Sequence, residues 1–429
     1  MRRITAFAAG CVIGLATGSA AVAYPIDGYE DTGIRRVEAV RLALEGKVSG
    51  ARVPAGARLP TAEVAPRLLG SDRQIDMSPD PDLSREIARV LGADADRYGV
   101  AVYDLTDPEN PIYAEHNGAF RNNVGSVGKT IVALAWFQAL ADVYPDDTAA
   151  RDRLLKETVL SADEFVVRDH HKVVFFDPGT LNSEYRVIAP GDRGNLYEWL
   201  DWMLSASNNG AAAFMQEQVM LLRAFGKDYP PTQEQKDEFY KTHSREELGK
   251  MFRAAMDEPL ARNGFDAEHF RQGSFFTRTG NARMPTTNSY GTPREIVRYL
   301  YRLERGAIVD DWSSTTIKRL LYMTQRRIRY ASHPVLNDFG VYFKSGSLYK
   351  CVEEEGFVCR QYEGNKLNLL ASAAIVEGPV PGRRYHYLVA VLSNVLKVNS
   401  AVAHQTLALR IHRLIEARHK AGGGGGSGT

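Results

Sequence analysis

Three short polar motifs stand in fixed order along this 429-residue chain: Ser126-Val-Gly-Lys129, Ser207-Asn-Asn209 and Lys344-Ser-Gly346. Each falls where the surrounding pattern changes. Ser126 and Lys129 open a helix-like apolar run, Thr130-Ile-Val-Ala-Leu-Ala-Trp-Phe137. Ser207 follows the helical stretch Leu196 to Leu204, and a second helix, Ala211 to Arg223, leaves Asn209-Gly210. Lys344 lies in a strand-like stretch. If the three motifs serve one site, the fold must bring together a helix start, an interhelical turn and a strand.

One motif alone is weak. S-x-x-K occurs by chance on the order of once in a chain of this length, and a second copy is present at Ser347-Leu-Tyr-Lys350. That copy continues a strand, where residues three apart point to opposite faces. At helical spacing i and i+3 share a face, so the Lys129 amine can lie beside the Ser126 hydroxyl. Context selects the first copy.

A serine hydroxyl is a poor nucleophile near neutral pH and needs a base within hydrogen-bond reach. Lys129 serves only as a free amine, so its pKa must fall from roughly 10.4 to near neutrality, at a cost of about 4 kcal/mol. Burial at a helix N-terminus and a second cation, Lys344, would supply that. Ser207 can pass a proton between Lys129 and a leaving nitrogen. Asn209 can bond a substrate amide.

S-x-x-K, a Ser-x-Asn turn and Lys-x-Gly in this order resemble the signature of the penicillin-recognising serine hydrolases, and the flanks of the two serine motifs are most similar to the class A β-lactamase branch. The resemblance covers about residues 85–420. It implies an α/β (α+β) β-lactamase/transpeptidase-like fold, with a five-stranded antiparallel sheet flanked by helices and an all-helical lobe at about 119–285. It also implies roles. The backbone N–H groups of Ser126 and Ser347 would hold the oxyanion, each such donor contributing about 3–4 kcal/mol. Lys344, Ser345 and Gly346 would bind the substrate carboxylate side. No cofactor or metal is implied. The substrate would be a small molecule or derived from peptidoglycan: a β-lactam, a D-Ala-D-Ala type peptide, or another amide or ester. A cell-wall-binding module that keeps the pocket without turnover is the rival from another class.

One departure bears on turnover. Class A β-lactamases carry a Glu-x-x-Leu-Asn run whose glutamate activates the deacylating water. The matching stretch before Pro293, Ser274-Phe-Phe-Thr-Arg-Thr-Gly-Asn281, contains no carboxylate. Glu258-Pro-Leu-Ala-Arg-Asn263 has a similar flavour but lies about twice as far from Pro293 as the resemblance implies. Unless Glu258 folds back to the site, the acyl-enzyme should hydrolyse slowly.

The remaining features set the context. Residues 1–23 read as an export signal, with Arg2 and Arg3, an apolar run rich in Gly and Ala, and Ala21-Val-Ala23 before Tyr24. An exported location, periplasmic or secreted, follows, with no membrane span in the mature chain. With 53 basic and 52 acidic residues, nothing favours nucleic acid as a partner. Oligomeric state is not legible. Cys351 and Cys359 are the cysteines left after the signal, and in an exported chain they are expected to pair. Such a bridge is worth about 2–4 kcal/mol when unstrained.

Residues 24–84 read as an extension packed on the outside or partly disordered, apart from an amphipathic piece at Ile34 to Leu44. Residues 421–429 read as a flexible Gly-rich tail. Two decoys are set aside. Asn123-Val-Gly-Ser-Val-Gly-Lys-Thr130 lacks the first glycine of a phosphate loop and follows a polar segment rather than a buried strand. His170 and His171 are adjacent, so in a strand their rings would face opposite ways; they read as surface histidines.

Overall fold

The computed structural model describes residues 27–50, 53–322, 324 and 327–422. The expected export signal and the tail beyond 422 lie outside the described residues. Five strands form the central sheet: β1 (Tyr98–Asp104), β2 (Ile112–His116), β3 (Gly340–Lys350), β4 (Leu367–Gly378) and β5 (Tyr385–Asn394). Their order is β2-β1-β5-β4-β3, antiparallel throughout. This is the five-stranded antiparallel sheet that the resemblance implied.

The period of two in the strand sequences explains why both faces of the sheet are covered. Val100, Val102, Val389 and Val391 point to one side. There they meet Leu83 and Ile87 of α2 (Pro81–Leu91) and Leu407, Ile411 and Ile415 of the C-terminal helix Ser400–Gly422. Ala101, Tyr103, Leu388 and Ala390 point to the other, into a core shared with the helical lobe.

That lobe is built round α3 (Lys129–Val143), which is buried on all sides from Lys129 to Leu140. Its sequence is apolar all round, so only a central position satisfies it. α4 (Leu196–Leu204) starts at a reciprocal cap between Asn195 and Glu198. α5 (Asn209–Phe225) is capped by Asn208, whose Oδ1 accepts from Ala211 N. α6 (Arg245–Arg262) follows, and α7 (Pro293–Glu304) begins with a Thr292 cap and Pro293 in its first turn. The lobe is helical in bulk but not throughout. Two-stranded ribbons pair 159–161 with 193–195, 172–177 with 182–187, and 270–271 with 290–291. These strands are short, two to six residues, and none shows the sustained alternation that marks a half-buried strand.

The described residues of 27–80 contribute to the packed body. Ile34, Val37, Leu59 and Val64 are buried in the main core. In α1 (Arg35–Leu44), Arg36 makes a buried two-bond pair with Asp201, both bonds 2.6 Å. Further on, Arg67 bonds Glu377, and the buried Lys318 ammonium joins Ala65 O, Glu304 and Glu377. Cys351 and Cys359 form a disulfide just after β3, with Cα atoms 5.8 Å apart.

Candidate active site

Gly125 to Gly128 form a 3₁₀ turn that feeds directly into α3, and this turn carries Ser126. Gly125 has φ +52°, a region open to glycine at little cost. The turn lies against the end of β3. A Cβ on Gly346 would fall 2.1 Å from Val124 O and 2.4 Å from Ser126 N. Only a glycine lets the two backbones approach this closely, and the approach brings the Ser126 N–H beside the Gly346-Ser347 segment.

Lys129 is buried at the first position of α3. Among the described residues its amine bonds only to the 207–209 turn: Ser207 O at 2.6 Å, Asn209 Oδ1 at 2.8 Å and Ser207 Oγ at 3.5 Å. The expected direct partner, the Ser126 hydroxyl, is not among them, because the Ser207 carbonyl and Asn209 amide draw the amine across the cleft. Burial lowers the Lys129 pKa to about 7, against the opposing pull of the Asp169 carboxylate. A neutral amine has two N–H bonds. Here the carbonyls of Ser207 and Asn209 can take both, which leaves the lone pair to accept a hydroxyl proton.

Lys344 reaches the same hydroxyl from the sheet, its Nζ 2.7 Å from Ser207 Oγ and 3.0 Å from Ser345 O. Burial, then the charges of Lys129 and Arg329, hold its pKa well below the usual lysine value. Ser207 itself has φ +60°, uncommon for a residue with a side chain. This backbone turn directs its carbonyl toward Lys129 while its hydroxyl stands between two amines.

Ser126, Ser207, Asn209, Lys344, Ser345 and Ser347 line one cleft of about 650 Å³, and Lys129 forms its floor through these bonds. Among the described residues no aspartate or glutamate lines the cleft, whereas Lys172, Arg329 and Lys344 do. Such a surface suits an anionic ligand.

Arg329 was missed in the sequence. Its guanidinium donates to Ser345 Oγ at 2.7 Å and Ser347 Oγ at 3.0 Å, and stands 4.9 Å from the Tyr362 ring centre. An arginine eleven residues before a strand, in the basic run Arg326-Arg-Ile-Arg329, carries no motif, so only the tertiary fold reveals it. Asp169 was missed for the same reason. Both its oxygens are occupied by N–H groups, including those of Asn209 and Gly210.

One expectation changes. His170 and His171 lie in a loop rather than a strand, and their rings sit together, centroids 4.2 Å apart, both on the cleft wall. Glu258 does not fold back to the site. It lies on α6, more than half exposed and paired with Arg223. The stretch Ser274 to Asn281 instead brings Ser274, Phe275 and Phe276 to the cleft, with the Phe276 ring 4.8 Å from Lys129 Nζ.

No protein-family model and no curated protein matches the chain. Solved structures do match in fold. The structure of PBP-A is 12% identical with a TM-score of 0.50, over 81% of this chain and 100% of that one. A point mutant of PBP-A, solved as its acyl-enzyme complex with penicillin G, matches with the same values. The TLA-3 extended-spectrum β-lactamase is 14% identical with a TM-score of 0.48, over 78% and 98%. The fold is that of the β-lactamase and transpeptidase group.

Proposed function

We propose that the chain is an exported serine hydrolase that forms an acyl-enzyme on Ser126 with β-lactams or related amides and esters. One observation carries this reading: the amines of Lys129 and Lys344 converge on the Ser207 hydroxyl in the cleft that Ser126 lines. Lys129 takes the Ser126 proton, directly or through Ser207, as the Ser126 oxygen attacks the carbonyl carbon. The N–H groups of Ser126 and Ser347 receive the developing oxyanion. Ser207, refilled from Lys129, then delivers a proton to the leaving nitrogen. Asn209 bonds the substrate amide, while Lys344, Ser345 and Gly346, backed by Arg329, hold its carboxylate. The PBP-A neighbour trapped with penicillin G supports the choice of substrate class.

Turnover is the point at which a second reading gains weight. The side chain facing Lys129 from the 274–281 stretch is a phenyl ring, which cannot take a proton from water. This favours a D-Ala-D-Ala peptidase-like or penicillin-binding role, with slow deacylation, over efficient antibiotic hydrolysis. A non-catalytic cell-wall-binding module would keep the cleft and form no adduct. Intact-mass spectrometry over time with a panel of β-lactams tests all three: a lasting adduct supports the proposal, rapid turnover makes the chain a working β-lactamase, and no adduct with any compound removes the acyl-enzyme reading.

A further inference from the structure

Asp169 lies outside all three motifs, in the loop before the 172–187 ribbon, yet its side chain is 3% exposed and makes five hydrogen bonds. Oδ2 accepts from the backbone N–H of Asn209 at 2.6 Å and of Gly210 at 3.0 Å, the first amides of α5. Oδ1 accepts from the N–H groups of His170 and His171, and from His171 Nδ1 at 2.6 Å. The next residues return the grip: Asn208 Nδ2 donates to His171 O at 2.7 Å. Two loops are thus bolted to each other immediately beside Ser207, whose backbone occupies the left-handed region. A residue with a side chain holds that conformation only when its surroundings enforce it.

We infer that Asp169 is a positioning residue for the acyl-transfer site: its carboxylate fixes the Ser207–Asn209 turn from outside the motif and sets a buried negative charge behind the turn that holds the Lys129 amine. The inference rests on the proposed acyl-enzyme function for its kinetic consequences, but not for its electrostatic one. In the family pattern the middle residue of this turn is an aspartate; here it is Asn208, which caps α5 and carries no charge. The charge is supplied instead from a loop nearly forty residues earlier. Asp169, His170 and His171 also bring ligand-type atoms within 4.8 Å of one another. With both Asp169 oxygens already taken by N–H donors, the cluster is a hydrogen-bond clamp rather than a cation site.

The groups facing Lys129 define what Asp169 must do. Lys344 approaches from β3, with Arg329 behind it; Ser207 and Asn209 contribute neutral oxygens; Phe276 contributes a ring. His171 is the remaining titratable neighbour, and burial lowers its pKa despite its Asp169 partner. Asp169 is therefore the anion of this set, opposing the burial that favours the neutral amine. Its carboxyl is itself held well below the usual range, because the bonds from His171 and from the Gly210 and His171 amides outweigh its burial.

Two readouts separate positioning from a merely structural role. First, the Lys129 titration is followed by NMR of 13Cε-lysine protein, assigned with Lys129→Arg, in wild type and Asp169→Asn. Loss of the negative charge should move the midpoint to lower pH; an unchanged or higher midpoint overturns the electrostatic part, whether or not any β-lactam reacts. Second, the acylation rate by a fluorescent penicillin is measured across pH. Asp169→Asn should lower the high-pH plateau at least tenfold and shift the midpoint down together. Should that variant fail to fold, Asp169→Glu keeps the charge but displaces the oxygens. It should retain the midpoint while losing rate, and a wild-type plateau would overturn the positioning role. Failure of wild type to label at all refutes the proposed function and leaves the NMR comparison to decide on Asp169.

Discussion

Lys129, from α3, and Lys344, from β3, approach the same hydroxyl, 3.5 Å and 2.7 Å from Ser207 Oγ, and both are buried. Two ammonium ions cannot share so dry a space without a large electrostatic cost. At least one amine therefore stays neutral near pH 7, which is the state a base requires. The expectations below follow from this pairing and its surroundings.

Ser126→Ala should abolish covalent labelling by penicillins while the protein keeps its fold, since the side chain is half-exposed at the cleft. Peptide mapping should place the wild-type adduct on the segment containing Ser126. An adduct that persists in the variant would refute the assignment.

Acylation should rise with pH through about 7 and level off above it. The sign follows from the lowered Lys129 pKa: the free amine is the minor form below that value and the major form above it. At one pH unit below the midpoint the rate should be about a tenth of the plateau. Lys129→Arg, which keeps the charge but cannot act as a base near neutrality, should slow acylation at least about a hundredfold and flatten the profile.

Pre-steady-state hydrolysis of a penicillin should give a burst followed by a slow phase. Phe276→Glu places a carboxylate where the ring now faces Lys129 and should accelerate the slow phase. Linear, rapid hydrolysis by wild type would contradict the phenyl-blocked reading. Because Glu258 is remote and paired with Arg223, Glu258→Gln should leave both phases as they are.

Arg329→Ala removes the guanidinium that holds Ser345 Oγ and Ser347 Oγ. Charge-assisted hydrogen bonds are worth about 1.5–3 kcal/mol, so the apparent affinity for carboxylate-bearing substrates should fall roughly ten- to a hundredfold. Substrates esterified at that carboxylate should lose far less. Equal losses for acid and ester would place Arg329 in a structural role only.

The elements nearest the chemistry were legible because their local signals are strong. α4 begins and ends where its apolar run does, at Leu196 and Leu204, and α7 carries Thr292 and Pro293 where a helix start needs them. The strands Leu367–Gly378 and Tyr385–Asn394 are largely apolar and buried along their length, as expected of a sheet covered on both faces, while Gly340–Lys350 pairs a short apolar start, Val341–Phe343, with the polar motif. The ribbons interrupt a lobe that the resemblance implied to be all-helical, and their short strands carry no long run to mark them. In the N-terminal segment, buried residues such as Leu59 and Val64 gave no period to read because they are scattered among prolines, glycines and charges.

The sequence by itself determined the motif residues and the chemistry proposed for them: a hydroxyl and an amine three positions apart on a helix start, a polar turn, and a lysine on a strand. Those choices are written in local spacing, which a helix or strand converts directly into geometry. Only the tertiary structure decided where the amine points, toward the Ser207–Asn209 turn rather than Ser126, since that depends on carbonyls contributed by another helix pair. It also decided which unmarked residues join the site. Asp169, Arg329 and Phe276 have no signature of their own; each acts because folding sets it beside a group far away in the chain, and a hydrogen bond or an electric field acts on distance in space, not in sequence.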